Sequence, residues 1–178
     1  MYYDDLVNVN NRKIMLNKTA LIIVGATGIS KAPEAVQAMI NTDVSGLYYC
    51  MKHEVIQMLK QEKGSIINIY SIADLNDMPW AGTYAATKHA VVGFTKSATP
   101  IHTAQGLMIN GLAPDTTKTD IIAKQLDDRD EEVISAIHPL NRLGIQEVIA
   151  NGIALLLSDV ASFVTHHILN IDGGFQAK

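Results

Sequence analysis

Three residue types able to manage a proton at a carbonyl stand in close order: Ser71, Tyr84 thirteen positions later, and Lys88 four beyond that. Residues four apart share a helix face, so Tyr84 and Lys88 stack in one column if the segment from Thr83 to His102 is helical. The run Ile66-Ile67-Asn68-Ile69-Tyr70, bounded by Gly64 and Ser71, reads as a buried parallel strand whose end carries the serine. The column can then face Ser71 across a strand-end crevice. An ammonium beside a phenol favours the phenolate and lowers its pKa from about 10, making the tyrosine a usable acid and base near neutral pH. A serine hydroxyl at the same place can polarise a carbonyl or an alcohol.

Moving a proton at an oxygen while hydride leaves or reaches the attached carbon is the task of a nicotinamide-dependent oxidoreductase. The Ser71 to Tyr84 step and the Tyr84-x-x-x-Lys88 pair resemble the active site of the short-chain dehydrogenase/reductase family, from about Ala35 to the C-terminus. The resemblance implies an α/β fold, a three-layer Rossmann-like domain with a mainly parallel sheet that lacks two or three N-terminal strands. It implies Tyr84 as acid/base, Lys88 as the group that lowers its pKa and holds ribose, Ser71 as the carbonyl-orienting hydroxyl, and Asn41 as the holder of a relay water. NAD or NADP would be the cofactor, and a small-molecule ketone or secondary alcohol the substrate.

Composition limits the alternatives. With 178 residues, 48% hydrophobic and 18% charged, the chain reads as one domain with a sizeable core. A pI near 5.8 offers no basic footprint for nucleic acid. The one cysteine, Cys50, has apolar neighbours and suits a reducing compartment. No apolar run reaches the roughly eighteen residues of a membrane span, and the start MYYDDLVNVNNRK lacks the pattern of a secretory signal. A cytoplasmic protein is expected.

Residues 1–17 read as a flanking segment, 18–32 as a strand and altered glycine turn, and 33–178 as the catalytic and C-terminal part. Thr19-Ala20-Leu21-Ile22-Ile23-Val24 is a buried-strand run, followed by Gly25-Ala26-Thr27-Gly28-Ile29-Ser30. A strand-to-helix glycine turn can hold a pyrophosphate on backbone amides, which points to Gly25, Gly28 and Ile29 as cofactor-binding. This turn resembles the family's TGxxxGxG, with Val24 for the threonine, one residue too few between Gly25 and Gly28, and Ser30 for the last glycine. The sequence then passes directly to Pro33-Glu34-Ala35, which resembles the family's helix well beyond the middle of the nucleotide half. The segment holding two strands and the residue that selects NAD over NADP is missing. Either residues 19–24 fill the place of the family's fourth strand, or the intact molecule carries further residues between Ser30 and Ala35.

Val36, Met39, Ile40, Leu47, Met51, Val55, Ile56 and Leu59 recur at helical spacing, predicting one helix from about Pro33 to Lys60. This helix and the Tyr84 helix resemble the family's four-helix subunit contact, implying a homodimer or homotetramer. Pro100 predicts a kink near Ala98 or an early helix end.

Leu107-Met108-Ile109-Asn110-Gly111-Leu112-Ala113-Pro114 reads as a strand closing in a turn. It resembles the family's RVNxxxPG strand, with Met108 for arginine and Asp115 for glycine, and it makes Pro114 and Thr119 cofactor-binding, Thr119 by a hydroxyl near the nicotinamide carboxamide. Asp115 reads equally as a turn-forming residue. Residues 119–137 resemble a substrate lid, and the acidic run from Asp127 reads as a solvated helix start, not a metal site. His138, His166 and His167 lack a third ligand at zinc spacing. A helix from Gln146 to Ser158 precedes the closing strand and its Asp172-Gly173-Gly174, with His166 where glycine is usual. Two functions follow: an oxidoreductase, or a non-catalytic scaffold or oligomerisation partner shortened on its nucleotide side. A regulator binding a mononucleotide is a third.

Overall fold

The structure, a computed structural model, describes residues 8–9, 12–13, 33–72 and 82–177. The expected strand at residues 19–24 and the turn residues Gly25, Gly28 and Ile29 lie outside the described residues. Strands β1 (Asn8–Val9) and β2 (Arg12–Lys13) form a short antiparallel ladder.

From Pro33 onward, α1 (Pro33–Met39) runs through a π-helical turn (Ile40–Gly46) into α2 (Leu47–Lys60), so the predicted helix is present over its full extent. Met39 and Leu47 at the joints are both in right-handed helical geometry. Then follow β3 (Gly64–Ile69), α3 (Gly82–His102), β4 (Leu107–Pro114) and β5 (Thr117–Lys118). The remainder is α4 (Asp120–Gln125), α5 (Asp128–Ala136), β6 (Gly144–Ile145), α6 (Gln146–Leu157) and β7 (Ile168–Ile171).

Strands β3, β4 and β7 form a parallel sheet in that order, with Ile66 opposite Ile109 and Leu112 opposite Leu169. Side chains alternate along a strand, and here both faces are covered. Ile66 and Tyr70 pack with Leu107, Ile109 and Ala113 under α2 and α3, contributed by Leu47, Met51, Met58 and Val91. Ile67, Ile69 and Leu112 pack on the opposite face under Ile153, Leu156 and Leu157 of α6. The result is the expected three-layer α/β arrangement. Full burial of each such aliphatic side chain stabilises by about 2 kcal/mol.

Two buried asparagines inside the layers are hydrogen-bonded. Asn68 Nδ2 donates to Thr95 Oγ1 at 2.6 Å. Asn110, fully buried, donates to the Val164 carbonyl at 2.8 Å and accepts from the His167 amide at 3.1 Å, fastening the loop before β7. Gly111 is required because a Cβ there would collide with the Tyr70 ring.

One expectation is corrected: α3 does not end at Pro100 but runs on to His102. Pro100 is exposed and sits in the last turn. In that region threonine hydroxyls turn back on the helix, Thr99 donating to the Thr95 carbonyl at 2.8 Å and Thr103 to Thr99 at 2.7 Å. The acidic run is a helix start as expected, Asp127 capping α5 in a reciprocal box with Asp130.

Candidate active site

Lys88 is the joint of the expected constellation. It is 3% exposed on α3, and its Nζ donates to the Ile69 carbonyl at 3.4 Å, two residues before Ser71. The same Nζ lies 5.7 Å from the centroid of the Tyr84 ring. One ammonium therefore bonds the end of β3, from which half-buried Ser71 emerges, and lies over the Tyr84 ring one helical turn before it. Spacing of four on α3 supplies the column, and strand termination at Ile69 supplies the carbonyl.

Asn41 is not brought to that column. It is exposed and accepts at 2.9 Å from Gln37 Nε2, one turn back on its own helix. The buried polar group of this segment is Asp43, 2% exposed within the π turn. Its Oδ2 accepts from Thr87 Oγ1 at 3.2 Å, and its Oδ1 is buried with no hydrogen-bond partner among the described residues. Thr87 also contacts the Tyr84 carbonyl at 2.8 Å, so Asp43 is two contacts from the phenol-bearing residue. A signal for this was present: Met39, Asp43, Leu47 and Met51 recur every four residues, placing a carboxylate on the apolar stripe, whereas Asn41 falls off it.

Pro114 closes β4, and Thr119 follows β5. The Thr119 hydroxyl caps α4 by accepting from the Ile122 amide at 3.3 Å, leaving its own O–H able to donate. Asp115 is a turn former, its Oδ1 accepting from the Thr116 amide at 2.6 Å. Its Oδ2 is 2.8 Å from Nε2 of buried His138, a partner that sequence spacing gave no reason to expect. His166, at a glycine position of the family, has φ +64, the left-handed region that favours glycine.

On α2, burial pushes the Glu54 carboxyl up to about 7. Burial, and then the Glu54 charge, pushes the Cys50 thiol above its ordinary value. A cleft of about 140 Å³ beside Gly64 and Met108 lies at the N-terminal ends of β3 and β4. Ligands of open α/β sheets bind at the carboxyl ends, so this cleft is set apart from the Tyr84 constellation. Among the described residues no three His, Cys, Asp or Glu are grouped to hold a metal ion, and no helix is long and apolar enough to cross a membrane.

Comparison with known proteins extends the picture. A family profile described as Enoyl-(Acyl carrier protein) reductase matches residues 10–176. The chain is 34% identical over 164 residues to 2,5-dichloro-2,5-cyclohexadiene-1,4-diol dehydrogenase of Sphingobium indicum, covering 90% of this chain and 66% of that protein. It is 35% identical over 136 residues to 3-oxoacyl-[acyl-carrier-protein] reductase FabG of Staphylococcus epidermidis, covering 76% of this chain and 55% of that one. The chain thus spans less than two thirds of the length of these relatives. Among solved structures, ElxO with NADP bound superposes with a TM-score of 0.83 at 36% identity, over 89% of this chain and 67% of that one. A gluconate 5-dehydrogenase from Burkholderia cenocepacia in complex with NADP and tartrate gives 0.83 at 25% identity, over 89% and 65%.

Proposed function

Because the chain belongs to the short-chain dehydrogenase/reductase family, we propose that it exchanges a hydride between NAD or NADP and a small ketone or secondary alcohol. The observation that carries this reading is Lys88, buried with its Nζ on the Ile69 carbonyl and 5.7 Å from the Tyr84 ring centroid.

The donor set on the nicotinamide side fits such a cofactor. Thr119 retains a hydroxyl proton, and the Asp115 carboxylate is occupied by Thr116 and His138. Pro114, Thr119, Tyr84 and Lys88 would hold the nicotinamide and its ribose, with Gly25, Gly28 and Ile29 assigned to the pyrophosphate by resemblance alone. A bound nicotinamide supplies or accepts the hydride; the chain handles the proton. In the reducing direction Tyr84 gives its phenolic proton to the carbonyl oxygen as that oxygen gains negative charge. Ser71 donates a hydrogen bond to the same oxygen, and the Lys88 ammonium stabilises the phenolate that forms. The relay position expected of Asn41 passes to Asp43, the polar group of that helix that reaches α3.

Exposed Tyr48, Tyr49 and Ile56 on α2, with the Tyr48 ring 6.0 Å from Phe94 of α3, support a homodimer or homotetramer through these helices. The single thiol supports a reducing, cytoplasmic setting.

Binding of NADH and NADPH is read from nicotinamide emission, and turnover from cofactor absorbance with a ketone panel. Tyr84→Phe is expected to lower kcat by about 10²–10⁴-fold, well beyond any loss of cofactor affinity from its missing hydroxyl. An unchanged rate in that variant overturns the acid/base assignment. The second reading, a scaffold that pairs with full-length relatives, is supported by the altered glycine turn, with Ser30 where the family has its last glycine. It predicts that millimolar NADH and NADPH shift neither emission nor melting temperature.

A further inference from the structure

The α4 and α5 segment leaves the sheet after Pro114 and returns at His138, and its two roots are joined by a buried contact. His138 Nε2 lies 2.8 Å from Asp115 Oδ2, with the two side chains 2% and 10% exposed. Nδ1 of the same ring lies 2.8 Å from the Ile134 carbonyl. A neutral imidazole can donate to only one of these acceptors, and the imidazolium donates to both. The other Asp115 oxygen takes the Thr116 amide at 2.6 Å and its hydroxyl at 3.2 Å. Every polar atom of the pair is engaged, and burial makes either partner costly without the other.

The surroundings hold the ring in one place. Its centroid is 5.7 Å from that of Phe175, and a Cβ on Gly173 would stand 3.5 Å from His138 Cβ. Backbone bonds complete the junction: the Asp115 amide donates to the Ile171 carbonyl and the Leu140 amide to the Gly173 carbonyl, both at 3.1 Å. From Asp115 the chain proceeds under hydrogen-bond control, Thr117 Oγ1 donating to the Asp115 carbonyl at 2.8 Å two residues before Thr119. Residues 116–119 are thus held from two sides, by the Asp115 root and by the pairing of Thr117 and Lys118 with Gly144 and Ile145.

We propose that Asp115 and His138 are positioning residues for the nicotinamide side of the site: the pair locks the root of residues 115–119 and so presents the Thr119 hydroxyl in one place. A glycine at 115 would leave this root without its side-chain anchor. The proposal rests on the cofactor reading given above for Pro114 and Thr119.

The test uses the full chain, NADPH titrated by nicotinamide emission, and melting temperature without ligand. Asp115→Ala and His138→Phe are each expected to weaken NADPH binding about tenfold, and the double variant by no more than either alone, because they break one shared contact. His138→Gln, which keeps a donor toward Asp115, is expected to stay within about threefold of the parent and serves as the test should His138→Phe not fold. A merely structural pair would lower the melting temperature while folded variants bound NADPH as tightly as the parent, and that result overturns the proposal alone. A parent chain that binds no NADPH at millimolar concentration overturns the cofactor reading and this proposal together.

Discussion

Replacing Glu54 by glutamine should change how stability depends on pH. In the folded chain this carboxyl is held by burial at about 7, against an ordinary value of 4.5. Between those values the folded state keeps a proton that the unfolded chain has released, so stability falls as pH rises through the window and the full penalty stands above about 7. At about 1.4 kcal/mol per pH unit, the interval sets a ceiling of roughly 3 kcal/mol. Glu54 is only half-buried, and solvent screening brings the expected penalty to about 1–2 kcal/mol. Urea unfolding of both proteins at pH 5 and pH 8 isolates it: the parent should lose about 1–2 kcal/mol more than Glu54→Gln across that range. Cys50, four residues earlier and raised partly by the Glu54 charge, should alkylate faster in the variant at pH 8.5. Parallel stability profiles for the two proteins, or a parent that gains stability relative to the variant as pH rises, would refute the reasoning.

Three further outcomes test the packing. Gly111→Ala drives a methyl into the Tyr70 ring and should cost about 2–3 kcal/mol in urea unfolding. Asn110→Ala leaves the Val164 carbonyl and His167 amide unpaired, for a loss of about 2–4 kcal/mol and faster amide exchange at His167. His166→Gly relieves a φ of +64 and should raise the melting temperature by a few degrees, worth about 0.5–1 kcal/mol.

Much of the sheet was legible because short apolar runs have few other uses. Leu107 to Pro114 is a strand from the first residue to the last, and Ile69 ends its strand just before Tyr70 and Ser71. The Tyr84 and Lys88 column was equally legible, since helical spacing alone puts the two on one face. Asn41 was matched by residue type, and the structure places it exposed and bonded to Gln37 on its own helix. Asp43 stood on the apolar stripe and went unremarked. Of the two expectations for Pro100, the early helix end is not met, because the proline sits in the last turn and α3 runs two residues beyond it. The Asp115 to His138 pair could not be read at all: its members lie 23 positions apart, and only folding of α4 and α5 between them brings carboxylate and ring together.

The π turn at Ile40–Gly46 sets a phase between two stretches of one helix. An α-helix advances about 100° per residue and the wider π turn absorbs one residue without that advance, so deleting Thr42 would keep the phase, whereas forcing all seven residues into α geometry would rotate residues 33–39 by about that angle against residues 47–60. Met39 would swing out of the core while Leu47, Met51 and Met58 stayed in place. The extra residue works as an angular spacer: it lets one rod present Met39 and Asp43 to α3 and still lay its far end along the sheet.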